Sequence, residues 1–158
     1  RPLNMRGENI KLLSDSIIMF WTGLMRPSEL VLEEQDKNNK SNSLILDKMK
    51  NQANELSDIL NEKKISPVEI GNILHKGWLY KKTLASKISN KQIDDWYECA
   101  LKNGAYGGKI SGAGGGGFLT LIIDSKMESV LTTEMEKIGL KRYNFGLDSS
   151  GTTVTEIK

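Results

Sequence analysis

Eight of the chain's 15 glycines fall between positions 104 and 117. The segment Gly107-Gly108-Lys109-Ile110-Ser111-Gly112-Ala113-Gly114-Gly115-Gly116-Gly117-Phe118 therefore constrains the fold more than any other. Each glycine forfeits roughly 1 kcal/mol of backbone entropy relative to alanine. Four in a row are tolerated where the backbone takes positive φ or lets another group approach closely. The apolar run Phe118-Leu119-Thr120-Leu121-Ile122-Ile123 follows directly and reads as a buried strand. Exposed amides in such a segment can line an anion-binding concavity. Residues 112–117 satisfy G-x-G-x-x-G literally, but a dinucleotide fingerprint follows a strand and opens a helix. Here the glycines are expected to follow a helix and open a strand. A Walker A loop is excluded, because Lys109 is followed by Ile110 and not by Ser or Thr. A flexible linker is the competing reading; such linkers are rarely joined to an apolar strand without Ser, Pro or charge between.

A chain of 158 residues is long enough for one domain with a core of its own, and 1–158 is read as a single domain. It opens at Arg1 without a methionine, which is the expectation for a fragment, a processed product or a cloned domain. With 22 basic and 20 acidic residues the net charge is +2, which argues against a nucleic-acid footprint. No apolar stretch approaches the ~18 residues that span a bilayer, so no membrane association is expected. No signal-peptide pattern is seen, and the single cysteine, Cys99, suits the cytoplasm. Cys99 sits mid-helix beside Ala100 and reads as an inert thiol.

Residues 1–9 read as the polar tail of an earlier element. Ser16-Ile17-Ile18-Met19-Phe20-Trp21 is a continuous apolar run, read as a central strand packed on both faces. A loop carrying Arg26 leaves its carboxyl end; Arg26 is either a bidentate ligand for an anionic substrate or a solvated arginine. Helices are expected from Ser28 to about Asp36, then over a stripe of Ile45, Met49, Leu56, Ile59 and Leu60. Ser66-Pro67-Val68-Glu69 is a capping box opening a helix with Ile70, Ile73, Leu74 and Trp78 inward. His75, the only histidine, reads as structural, and no two-histidine metal site is available. Lys81, Lys82, Ser86 and Lys87 form either a solvated helix end or a phosphate-contacting edge. Ser89-Asn90-Lys91-Gln92 predicts another capped helix with Ile93, Trp96, Tyr97, Ala100 and Leu101 buried, stopped at Asn103-Gly104. Beyond the strand, a helix begins near Asp124, with Val130, Leu131, Met135 and Ile138 inward, and ends at Gly139. Alternation over residues 142–147 and a return over 152–157 predict a closing hairpin.

The glycine segment resembles the third, C-terminal glycine-rich motif of the GHMP kinases. Its surroundings are similar to the branch of D-glycero-D-manno-heptose 7-phosphate kinases. The similarity runs through Leu74-His75-Lys76-Gly77-Trp78, Lys81-Lys82-Thr83-Leu84-Ala85-Ser86-Lys87-Ile88-Ser89-Asn90 and Ile93-Asp94. Thr22-Gly23 followed by Arg26 is similar to an earlier signature of that branch.

The element order predicts an α+β sandwich with helices on one side of a largely antiparallel sheet. This agrees with what the resemblance implies, a ferredoxin-like GHMP kinase C-terminal domain. It further implies ATP and Mg2+ as cofactors and a sugar or sugar phosphate, heptose 7-phosphate above all, as acceptor. Nucleotide-phosphate loop and acidic catalytic residue would lie in an N-terminal ATP-binding domain absent from this chain, so the segment alone is expected to be inactive. No catalytic or metal-ligating residue is assigned within it. The substrate and phosphate loop is Lys109, Ser111, Gly112, Ala113, Gly114, Gly115, Gly116 and Gly117. Arg26, Lys82, Ser86 and Lys87 are possible substrate contacts. The alternative is a non-catalytic small-ligand or interaction domain of the same fold.

Overall fold

The apolar run before Thr22 is strand β1 (Ile17–Trp21) in the computed structural model, which describes residues 5–38, 40–148 and 154. Helix α1 (Gly7–Ser16) runs directly into it, where the sequence suggested only a polar tail. Its first residue is preceded by Arg6, which makes no side-chain cap, so nothing in the sequence announced the helix. Ser16, expected to open the strand, instead ends the helix, its hydroxyl donating to the Leu12 carbonyl at 2.7 Å.

Four helices follow β1: α2 (Ser28–Asn38), α3 (Ser43–Leu60), α4 (Pro67–Lys82) and α5 (Lys91–Lys102). Ser66 caps α4 as expected, accepting from the Glu69 amide, with Pro67 at the first helical position. The α5 cap is Asn90, whose side chain accepts from the Ile93 amide; Ser89 instead donates to Asp94 at 2.9 Å. Strands β2 (Ala105–Ile110) and β3 (Phe118–Ile123) come next, then a 3-10 turn, helix α6 (Glu128–Lys137) and strand β4 (Lys141–Tyr143). On α6, Leu131 and Met135 are buried, one turn apart on one face. Val130 and Ile138, expected inward, flank that stripe and are exposed by 50% and 41%. Of the expected closing hairpin, the first strand shrinks to the short β4, with residues 144–148 outside any strand, and its return over 152–157 lies, Val154 apart, outside the described residues.

The sheet order is β2-β3-β1-β4, and every pair is antiparallel. Two split β-α-β units, with α2 to α5 crossing between β1 and β2 and α6 between β3 and β4, make this the expected α+β, ferredoxin-like arrangement. Ile18 lies opposite Leu121, and Phe20 opposite Leu119, in a fully buried layer beneath the helices. The other face is less covered than the unbroken apolar run implied: Ile17, Met19 and Trp21 are half-buried. There Phe118 packs between Trp21 and Tyr143, with ring centroids 5.0 and 4.9 Å away.

One close crossing fixes the helices against the sheet. Helix α4 lies on edge strand β2 with Gly71 over Tyr106 and Gly107; a Cβ at Gly71 would fall onto the Tyr106 Cβ. A Cβ at Gly107 would strike the Gly71 carbonyl oxygen in turn. Beside it, the Tyr97 hydroxyl from α5 covers the outer edge of β2. It receives the Gly108 amide at 3.1 Å and reaches the Gly108 carbonyl at 3.3 Å. His75 completes the group, its Nδ1 2.9 Å from that hydroxyl and its ring stacked on Tyr97. The histidine is thus a packing residue, as read. Burial pushes the Tyr97 phenol up to about 12.

Candidate functional site

The loop glycines, within residues 112–117, follow a strand and not a helix. The whole glycine segment spans a β-hairpin, with Gly107 and Gly108 inside β2 and residues 111–117 connecting it to β3. The misreading has a physical origin: Gly107 and Gly108 have no side chain to display strand alternation, and are small because α4 and the neighbouring strand press on them.

The connection is held at defined points. Ser111 N–H donates to the Phe118 carbonyl at 2.9 Å, closing the hairpin. The Gly117 carbonyl accepts from both the amide and the hydroxyl of Thr22, at 3.0 and 2.7 Å. Gly117 N–H donates to the Leu24 carbonyl, and Gly115 N–H to the Ile88 carbonyl at 2.7 Å. The loop is therefore stapled on one side to the segment leaving β1 and on the other to the segment before α5. Gly114 and Gly115 take φ of +111° and +76°, where an L side chain is strained. A Cβ at Gly114 would also approach the Ile88 carbonyl oxygen to 2.9 Å.

Between loop and β1 lies an open cavity of about 220 Å³, lined by Trp21, Arg26, Ser28, Ser111, Ala113 and five neighbouring residues of these two segments, with Gly116 among them. Its described lining residues include no carboxylate. The amides of Gly112, Ala113 and Gly116 have no protein acceptor among the described residues. The Arg26 side chain is exposed and donates to the Lys87 carbonyl at 3.3 Å, without a carboxylate partner among the described residues. Ser111 is tied by its hydroxyl to Thr120 Oγ1 at 2.8 Å. Unpaired backbone donors and a guanidinium without a carboxylate partner around a concavity are suited to the oxygens of a phosphate or carboxylate.

The structure thus brings together Arg26, Ser111 and residues 112–117. It separates them from the other expected contacts. Lys82 is paired with Asp94 at 2.9 Å. Ser86 donates through both its amide and its hydroxyl to Glu34, which holds that carboxyl below its usual range. Lys87 meets this site through its backbone, by the carbonyl that receives Arg26, while its side chain lines a separate surface hollow beside Glu34. Lys109 lines a different cavity, between α3 and α4. Lys81, read from the sequence as part of a solvated helix end or a phosphate-contacting edge, touches the loop directly, its ammonium donating to the Gly112 carbonyl. Thr22 and Leu24 are loop-holding residues that reading by composition missed. Their sole sequence signal is the break at Thr22-Gly23, where Gly23 takes φ +70°. Among the described residues no cluster of three or more His, Cys, Asp or Glu is placed to hold a metal, and no helix is long and apolar enough to cross a membrane.

Comparison with known proteins agrees with this geometry. Residues 59–132 match the family model described as GHMP kinases C terminal. A D-glycero-alpha-D-manno-heptose 7-phosphate kinase of Campylobacter jejuni is 28% identical over 139 residues, covering 86% of this chain and 40% of that protein. The chain thus spans well under half the length of this curated relative. Among solved structures, an L. major mevalonate kinase in complex with R-mevalonate superposes with a TM-score of 0.68 at 14% identity, over 80% of this chain and 41% of that one. A D-glycero-D-manno-heptose 1-phosphate kinase from Bacteroides thetaiotaomicron gives 0.57 at 17% identity, over 90% and 36%. At such identities these structures speak for the fold alone. Residues 59–132, which take in α4, α5 and the glycine hairpin, are thus similar to a GHMP kinase C-terminal domain, and the chain shares its fold with these kinase structures.

Proposed function

We propose that this chain is the C-terminal half of an ATP-dependent kinase that phosphorylates a sugar or sugar phosphate, with a heptose 7-phosphate as its acceptor. The observation that carries the reading is the stapled, positive-φ glycine loop facing Arg26 across a carboxylate-free cavity. Phosphoryl transfer asks for positioning and charge neutralisation more than for covalent chemistry. The side-chain-free loop lets an acceptor or a phosphate approach the amides of Ala113 and Gly116, and Arg26 balances the charge of a phosphorylated acceptor. Because Thr22, Leu24 and Ile88 already hold the loop, little reorganisation is needed when an anion arrives.

The remaining machinery, in this reading, belongs to an N-terminal ATP-binding domain that this chain does not include. Arg26 and the loop amides fit phosphate oxygens. Among the described residues no cluster of three or more His, Cys, Asp or Glu is placed to hold Mg2+, and no step is assigned to the metal here. The relative in Campylobacter jejuni supports the heptose acceptor, and the balanced charge supports a small-molecule partner over nucleic acid. We place the enzyme in the cytoplasm, where ATP is available. The test is a coupled ADP-release assay with MgATP and a panel of sugar phosphates, run on this chain and on a version extended by an N-terminal domain. Turnover by the extended protein alone, fastest with heptose 7-phosphate, is the expected result. Turnover by the 158 residues alone would overturn the division of labour. Silence from both folded proteins would favour a non-catalytic ligand-binding domain.

A further inference from the structure

A second cavity, also of about 220 Å³, lies between α3 and α4 beside the end of β2. Its walls are apolar, from Met49, Leu56, Ile73 and Leu74. Two polar atoms among its lining residues are left without partners: the Trp78 indole N–H, on a side chain only 1% exposed, and the Gln52 side-chain oxygen. The Gln52 amide nitrogen is turned toward the Ile73 carbonyl at 3.4 Å, which fixes the oxygen as the free end. Buried polar atoms without partners are uncommon and call for an explanation.

Two lysines complete the lining. Neither Lys81 nor Lys109 forms a salt bridge among the described residues; the Lys81 ammonium is met by the Gly112 carbonyl. Burial first, and the Lys109 charge second, bring the Lys81 amine down to about 8, so the two cations are close enough to oppose each other. An apolar chamber with an unsatisfied donor and two mutually repelling ammonium groups is suited to an anion with an apolar body. A polyhydroxylated sugar does not match these walls.

We propose that the α3–α4 cavity is a second ligand site, separate from the glycine-loop cavity, that takes a small phosphate monoester with an apolar tail. The phosphate sits between Lys81 and Lys109, the tail lies against Met49, Leu56 and Ile73, and an ester or phosphate oxygen accepts from the Trp78 indole. Lys81 also donates to the Gly112 carbonyl, so one side chain borders both this site and the foot of the glycine loop. The site stands on its own residues and does not rest on the kinase reading.

The test uses the 158-residue chain labelled with nitrogen-15 and follows the indole N–H signals of Trp21, Trp78 and Trp96. Phenyl phosphate, inorganic phosphate and benzyl alcohol are titrated separately at pH 7. The expected result is a saturable shift of the Trp78 signal by phenyl phosphate, with either fragment alone at least about tenfold weaker. Lys81→Met and Lys109→Met should each weaken phenyl phosphate by about tenfold or more while the signals of the free chain stay in place. Should Lys81→Met fail to fold, Lys109→Met carries the comparison. A Trp78 signal that does not move overturns the proposal. So does equal binding of inorganic phosphate, unchanged affinity in the lysine variants, or a shift confined to Trp21, which lines the glycine-loop cavity.

Discussion

Helix α4 contains two glycines whose replacement by alanine should move stability in opposite directions. A methyl group at Gly71 would overlap the Tyr106 Cβ and stand 3.0 and 3.2 Å from the Tyr106 carbonyl carbon and Cα. None of these atoms can rotate away. The helix must therefore retreat from β2 by about 1 Å to restore ordinary contact distances. Overpacking of this kind costs about 1–3 kcal/mol, and the better helix propensity of alanine returns up to about 1 kcal/mol. Gly71→Ala should thus lose about 1–2 kcal/mol, a fall in Tm of about 2–8 °C for a chain of this size. A methyl at Gly77 meets only the Gln52 side-chain oxygen, at 3.4 Å. Gly77→Ala should keep most of the propensity gain, about 0.5–1 kcal/mol. Urea unfolding of the two variants beside the parent chain makes the comparison. Equal stabilisation by both would refute the claim that α4 and β2 touch through glycine.

Within the loop, Gly114→Ala in the extended kinase should lower kcat/KM by about 10²-fold, because it adds strain and pushes on Ile88 where positioning is critical. Gly112→Ala has open space around its Cβ and only its φ of +79° against it, so its loss should be the smaller one in the same assay. Tyr97→Phe should cost about 1–3 kcal/mol in urea unfolding, since the Gly108 amide and carbonyl on the outer edge of β2 lose their partner. Lys81 makes a pH prediction. Its folded value of about 8 lies below the unfolded 10.5, so protonating it opposes folding. That penalty is complete below pH 8 and disappears as pH rises through 10.5. Discounted for the water that reaches this partly exposed amine, it amounts to about 1 kcal/mol. Lys81→Met should therefore gain most relative to the parent near pH 7, with the difference shrinking above pH 8; a constant difference from pH 7 to 10.5 would count against the assignment.

The order of helices and strands was largely legible in the chain, because local chemistry specified it. Ser66-Pro67 and Asn90 announce their helices by capping, and Phe118-Leu119-Thr120-Leu121-Ile122-Ile123 can only be a buried strand. Helix α1 was not legible, as it lacks a capping side chain and borrows its stability from packing Leu12 and Leu13 against the buried cluster of Leu60, Ile65, Ile70 and Ile122. Strand β2 was hidden for a related reason: alternation is invisible where Gly107 and Gly108 stand in for side chains. The glycine loop could be named from the sequence as a place where the backbone must be bare. Which groups gather around it depended on contacts 60 to 95 residues apart, such as Arg26 with Lys87 and Thr22 with Gly117. The sequence by itself determined a bare glycine segment leading into a buried strand on an α+β scaffold, and the structure makes that segment the connection of a hairpin. Only tertiary structure decided that Arg26 faces that hairpin, that Lys82 and Ser86 are already occupied, and that Lys109 turns with Lys81 toward another cavity. Capping, periodicity and glycine content act over a few residues, whereas charge pairing and burial are settled by whichever segments the sheet order brings together.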